Sequence, residues 1–173
     1  MRLHFACHFG RSQRAETFLV MPLHQRLRTH HEGEMEIPKF VSVLIVDQAI
    51  EAKGVLANAA FVLGLTAGRE LAQETFGPDV VDGEGTTHRS LTRIGHFVRK
   101  AGQNKMRNLR KEFAKDPRVL VIDYAEDAAP ADYDTYSRDL SQHSGEQIKY
   151  RALYAYGPAD IVVPLTKNLS HLE

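Results

Sequence analysis

PKFVSVLIVDQAIEAKGVLANAAFVLG, residues 38–64, decides the fold class. Val41, Val43, Leu44, Ile45 and Val46 form a nearly unbroken apolar, mostly β-branched run closed by Asp47. That pattern suits a strand buried on both faces, hence a central strand. From Gly54 a second apolar run, Val55 to Leu65, is too long for one strand and rich in alanine, so it predicts a buried helix. Asn58 interrupts it; a buried amide there must find hydrogen-bond partners.

Working outward, the rest of the chain repeats the alternation. Helix continues or restarts over 67–75 and stops at Gly77 and Pro78, and a strand follows from Ile94 to Val98. After Gly102, Met106, Leu109 and Phe113 fall at helical spacing, and RVLVIDY, residues 118–124, is again a strand. Asp132 is a good N-cap for a helix whose face carries Tyr133, Tyr136 and Leu140. In QIKYRALYAYG, residues 147–157, Tyr150, Tyr154 and Tyr156 alternate onto one face of a last strand, before a short helix interrupted near Pro164. The expected architecture is one α/β domain over 37–173, a three-layer sandwich around a mixed, mostly parallel sheet of about four strands.

Composition narrows the function classes. Twenty-two basic and twenty-two acidic residues cancel, so no overall field recruits nucleic acid or an anionic membrane. The single Cys7 excludes an intrachain disulfide framework, and no apolar run is long enough for a membrane span. A reducing, cytoplasmic setting is expected. Residues 1–36 differ in character, with five arginines, five of the nine histidines, no lysine and no aspartate. They read as a leader, loosely packed or not translated at all, with Met21 and Met35 as alternative starts; Cys7 and the pair His30 and His31 are given no role. No cofactor or metal signature is visible.

Two stretches carry a resemblance. KFVSVLIVD with Lys53-Gly54 opening an alanine-rich helix, and RALYAYGPADIVVPLTKNLSHL from Arg151 to Leu172, resemble the bacterial family called domain of unknown function 2000, which is similar in fold to the type-II peptidyl-tRNA hydrolases. The resemblance implies that fold, a homodimer, and at most a divergent hydrolase. Val55 stands where those hydrolases carry their second, catalytic lysine, and Ala152 replaces a strand threonine. An ester hydrolase needs a polarising donor or positioned base beside the carbonyl, so these departures bear directly on activity.

Three constellations could carry chemistry. Asp47, Lys53 and Asn58 could form a polar cluster at the mouth of the sheet, with Asp47 and Lys53 as the catalytic pair if there is one; ligands in such sheets sit beyond the strands' carboxyl ends. The alternative is a turn-capping aspartate, a solvated lysine and a structural asparagine. Asp82, Gly83, Gly85, Thr86, Thr87 and His88 could hold an anion or nucleotide, although no full nucleotide fingerprint is present and a plain turn is the safer reading. Between Arg99 and Arg118 eight basic residues face two acidic ones; Lys105, Arg107, Arg110 and Lys111 could contact tRNA phosphates, or form a solvated face that meets the acidic segment from Asp123 to Asp139 within the chain or across a dimer. The leading expectation is a small-molecule or nucleotide-binding protein, with a peptidyl-tRNA hydrolase and a non-catalytic interaction module as alternatives.

Overall fold

The first strand, β1 (Phe40–Asp47), buries both of its faces: Val41, Val43 and Ile45 on one side, Ser42 and Val46 on the other. A strand enclosed in this way must lie inside a sheet. The structure is a computed structural model and describes residues 39–128 and 132–172, all within the compact unit Glu36–Glu173. The arginine-rich segment read as a leader, residues 1–36 with Cys7, His30 and His31, lies outside the described residues.

After β1 come α1 (Lys53–Glu70), a small hairpin of β2 (Val80–Val81) and β3 (Thr87–His88), β4 (Gly95–Ala101), α2 (Gln103–Phe113) and β5 (Leu120–Ala125). Then follow α3 (Tyr133–Ser141), β6 (Tyr150–Pro158), α4 (Ala159–Thr166) and β7 (Ser170–His171). The main sheet has five strands in the order β5-β6-β1-β4-β7, flanked by helices on both faces. The expected sheet of about four strands, mostly parallel, is corrected here. Only β1 with β4 is a parallel pair; β6 runs antiparallel to both neighbours, and β7 antiparallel to β4. The cause is β6, which is apolar on both faces and therefore takes an interior place between β1 and β5. The β5–β6 connection, although it contains α3, acts as a long hairpin rather than a crossover.

Two apolar layers hold the sheet. On one face Met106, Leu109 and Phe113 of α2 and Val162 of α4 pack against Val43, Ile45 and Leu153. On the other, Ala59, Leu63 and Ala67 of α1 pack against Val46, Tyr124, Ala152 and Tyr154. The stripe expected on α2 is present. α1 departs from the buried helix expected: Phe61 is 65% and Leu65 63% exposed, because a helix on a single sheet offers it only one stripe. Asp132 caps α3, accepting from the Asp134 and Thr135 amides. Pro164 lies inside α4 without ending it; the helix loses one bond there, on a side that faces water. Gly157 of β6 is required by close approach, since a Cβ there would sit 2.9 Å from Val119 Cγ2.

One irregularity in β6 matters for the site. Tyr124 pairs with Ala152, but Ala125 pairs with Tyr150, so Arg151 is an extra, unpaired residue. This β-bulge reverses the alternation below it. Tyr154 and Tyr156 pack on the α1 face, but Tyr150 packs on the α2 face, where the sequence pattern alone puts all three together.

Candidate functional site

β1, β4 and β5 run in one direction and β6 in the other. A cleft of about 460 Å³ opens past the carboxyl ends of the first three and the amino end of β6. Asp47, Glu51 and Val55 line it on the β1–α1 side, Gln103 at the start of α2, and Glu126, Lys149 and Arg151 on the β5–β6 side. The first turns of α1 and α2 both border it. Neither helix has a side-chain cap or an acidic residue in its first turn, so their leading amides are not closed off by the protein's own side chains.

Gln103 organises the inner wall. Its Nε2 donates to Asp47 Oδ2 at 2.8 Å and to the Tyr150 carbonyl at 2.8 Å, and its Oε1 accepts from the Tyr150 amide at 2.9 Å. The β1–β6 ladder ends at Val46 opposite Ala152, because β1 turns away at Gln48. The amide of Gln103 thus supplies Tyr150 with the pair of bonds a strand neighbour would have made. Asp47 closes its own turn as well, Oδ1 accepting from the Ala49 amide at 3.1 Å.

Arg151 is the residue displaced by the bulge. It is half-buried, lines the cleft, and makes no hydrogen bond or ion pair among the described residues. The nearby Lys149 has a partner, Glu126, at 3.9 Å. Neither Gln103 nor Arg151 stands out in the sequence. Gln103 is one polar residue after a glycine, and Arg151 occupies an ordinary polar position in an alternating strand. A bulge is a tertiary event with no local signature here.

The residues flagged from sequence are distributed as follows. Asp47 lines the cleft; Lys53 is exposed at the first turn of α1 and does not line it. Asn58 lies on the exposed side of α1, where its Nδ2 donates to Tyr124 Oη at 3.1 Å; the partner a buried amide would need is present, but the burial is not. Beyond it, Val62, Thr66 and Arg69 line a second groove of about 520 Å³ with Tyr124, Tyr133 and Tyr136. The segment from Asp82 to His88 forms the exposed β2–β3 hairpin and lines neither cavity. Asp82 Oδ1 accepts from the Glu84 and Thr86 amides at 2.9 Å each, and Oδ2 meets His88 Nε2 at 3.1 Å. The His88 contact, helped by those amides, holds the Asp82 carboxyl below its usual range. Gly85 adopts φ +88° to make the turn; Gly83, Thr86 and Thr87 complete the exposed hairpin.

The basic face of α2 is likewise engaged. Arg110 Nε bonds Asp123 Oδ2 at 2.5 Å, and this contact raises its already high pKa. Lys111 meets Glu146 at 2.7 Å, and Arg107 meets the same carboxylate at 3.8 Å. Lys105 is exposed with no such partner among the described residues. A serine–histidine pair missed by the sequence reading, Ser42 Oγ with His96 Nδ1 at 2.6 Å, has no triad geometry. Ser42 is buried, and the other ring nitrogen of His96 is taken by the Thr92 hydroxyl. Among the described residues no group of three or more histidine, cysteine, aspartate or glutamate side chains could hold a metal, and no helix is long and apolar enough to cross a membrane.

The fold and cleft define a mixed-sheet α/β domain with a polar cavity at the strand ends. Residues 39–173 match the family model described as protein of unknown function, DUF2000, and the chain belongs to that family. Among solved structures it is similar in fold to a protein of unknown function, Atu0240, from Agrobacterium tumefaciens strain C58. The TM-score is 0.66 and the identity 17%, covering 78% of this chain and 98% of that one. No curated protein matches the chain. Neither the family nor this neighbour is described with an activity.

Proposed function

We propose that this protein binds a small polar molecule in the cleft between Asp47, Gln103 and Arg151. The observation that carries the reading is Arg151: a guanidinium set by a bulge at the end of a strand, in a cavity, with no partner among the described residues. Bulges beside cavities commonly re-aim one side chain, and a half-buried cation without a counter-charge favours an anionic group on a ligand. The readings based on tRNA draw no support from α2, whose central cations are held by Asp123 and Glu146. The test is an amide-resolved NMR titration of the full chain with a fragment library rich in carboxylates and amines. Shifts confined to Asp47–Val55, Gln103 and Lys149–Arg151, and lost in Val55→Trp, are expected. Shifts scattered elsewhere, with none in these segments, would sink the reading.

A second reading, an interaction module that self-associates, rests on the outer face of α1. Phe61 and Leu65 are exposed there. Gly64 and Gly68 sit where a Cβ would meet nothing within the chain, although each glycine weakens a helix by roughly 1 kcal/mol relative to alanine. A second copy of α1 packed closely against this face would account for both. Light scattering should then give a dimer that Phe61→Glu with Leu65→Glu dissociates; a monomer in the unaltered protein would dismiss it.

A further inference from the structure

We infer that the ligand is a small zwitterion of the α-amino-acid type, its carboxylate on Arg151 and its ammonium on the Asp47–Glu51 side; this deepens the cleft reading above and rests on it. The cavity is lined by three carboxylates, Asp47, Glu51 and Glu126, and two cations, Lys149 and Arg151. Lys149 is matched by Glu126. What remains is one guanidinium against two carboxylates. A phosphate-rich ligand would meet Asp47 and Glu51 as like charges, and a plain cation would meet Arg151 as one. A molecule with both signs meets neither penalty.

The arrangement also keeps its two signs from neutralising each other. The β1–β6 ladder ends with Val46 opposite Ala152, and the next residue on each strand, Asp47 and Arg151, lines the cleft with opposite charge. No ion pair forms between them among the described residues. Two features prevent it. Gln103 and the Ala49 amide hold the two oxygens of Asp47, and the bulge takes Arg151 out of the alternation that would have set it beside Asp47. Each carboxylate oxygen retains a second lone pair for an ammonium, since two oxygens offer about four acceptor sites. The guanidinium keeps its fork for a carboxylate, which it can hold bidentately. Ile50, Ala52 and Val55 supply an apolar wall for a side chain.

The test uses the full chain and a panel of neutral L-α-amino acids from glycine to leucine, followed by amide-resolved NMR. At least one should perturb the amides of Asp47–Val55 and Lys149–Arg151 with saturable affinity. For that amino acid, the amide derivative lacks the carboxylate and the N-acetyl derivative lacks the ammonium; each should bind about tenfold more weakly or worse. Arg151→Gln should weaken the free amino acid by a similar factor yet leave the amide derivative unchanged, a pattern that mere loss of folding would not give. If only N-acetyl acids bind at these amides, or if Arg151→Gln leaves the free amino acid unaffected, the zwitterion is wrong and the cleft reading stands. If no amino acid and no library fragment perturbs these amides, both are wrong.

Discussion

Arg110 and Arg151 are chemically the same side chain, and the fold treats them in opposite ways. Arg110 leaves α2 to meet Asp123 on β5 at 2.5 Å, and its neighbours Arg107 and Lys111 converge on Glu146. Arg151 is set into a cavity with no carboxylate bonded to it among the described residues, although Asp47 lines the same cavity. A dense run of cations reads in sequence as a surface for a polyanion, and an isolated arginine in a strand reads as nothing. Among the described residues Arg107, Arg110 and Lys111 of the run are matched by Asp123 and Glu146, and the isolated residue is left over. Unmatched charge in a cavity, rather than charge density, is what marks a site for a ligand.

The comparison can be broken most forcefully at Gln103. Gln103→Ala removes three hydrogen bonds and leaves the part-buried Tyr150 amide and carbonyl without partners. Stripping partners from such groups costs about 2 kcal/mol, measurable by denaturant unfolding. The freed Asp47 carboxylate should then swing to Arg151, and the cleft should lose its ligand as well as its stability. A variant that unfolds earlier yet binds unchanged would show that Asp47 and Arg151 are separated by the bulge alone.

Asp123→Ala tests the matched side. It strands Arg110, which is nearly half exposed and so is screened by water; the loss should be about 1 kcal/mol and should shrink in high salt. Arg151→Gln tests the unmatched side: unfolding free energy should change by no more than about 0.5 kcal/mol, since the side chain makes no bond among the described residues, while ligand binding falls. If Arg151→Gln destabilised the protein as much as Asp123→Ala, the distinction between the two arginines would collapse.

How much of this was legible beforehand follows the same division. β1, the start of α1, the Met106–Leu109–Phe113 stripe and the Asp132 cap are local patterns and appear as read. Strand order was not, because the place of β6 beside β1 depends on which strands can be enclosed, a property of the whole sheet. β7 escaped notice because two residues, Ser170 and His171, carry no periodicity. At the site, Asp47 was legible because it ends an apolar run, and strand ends are where ligands gather. The segment from Asp82 to His88 drew attention for its glycines, threonines and histidine, yet those residue types also make a self-contained hairpin turn. Gln103 and Arg151 were illegible for a different reason. Their roles exist only where β1 has turned away from β6, forty-seven residues apart for Gln103 and Tyr150.

The smallest effect expected concerns Arg118, a third way in which the chain disposes of a cation. Its Nη2 and Nε meet both oxygens of Asp116 two residues earlier, at 2.7 and 3.0 Å. The pair is fully local and exposed. Those bonds, with the Arg118 amide donating to the same carboxylate, hold the Asp116 pKa down to about 2, from an ordinary 3.8. A carboxyl whose folded pKa is depressed contributes stability above its unfolded pKa, and that contribution is lost as pH falls from about 4 through 2. Resolved by carbon-detected NMR titration, the Asp116 midpoint should rise toward its ordinary value in Arg118→Gln and stay in place in Arg151→Gln. A shift in the second variant would mean that Arg151 acts on the field of the domain at long range. A fixed midpoint would keep its influence where the bulge puts it, inside the cleft.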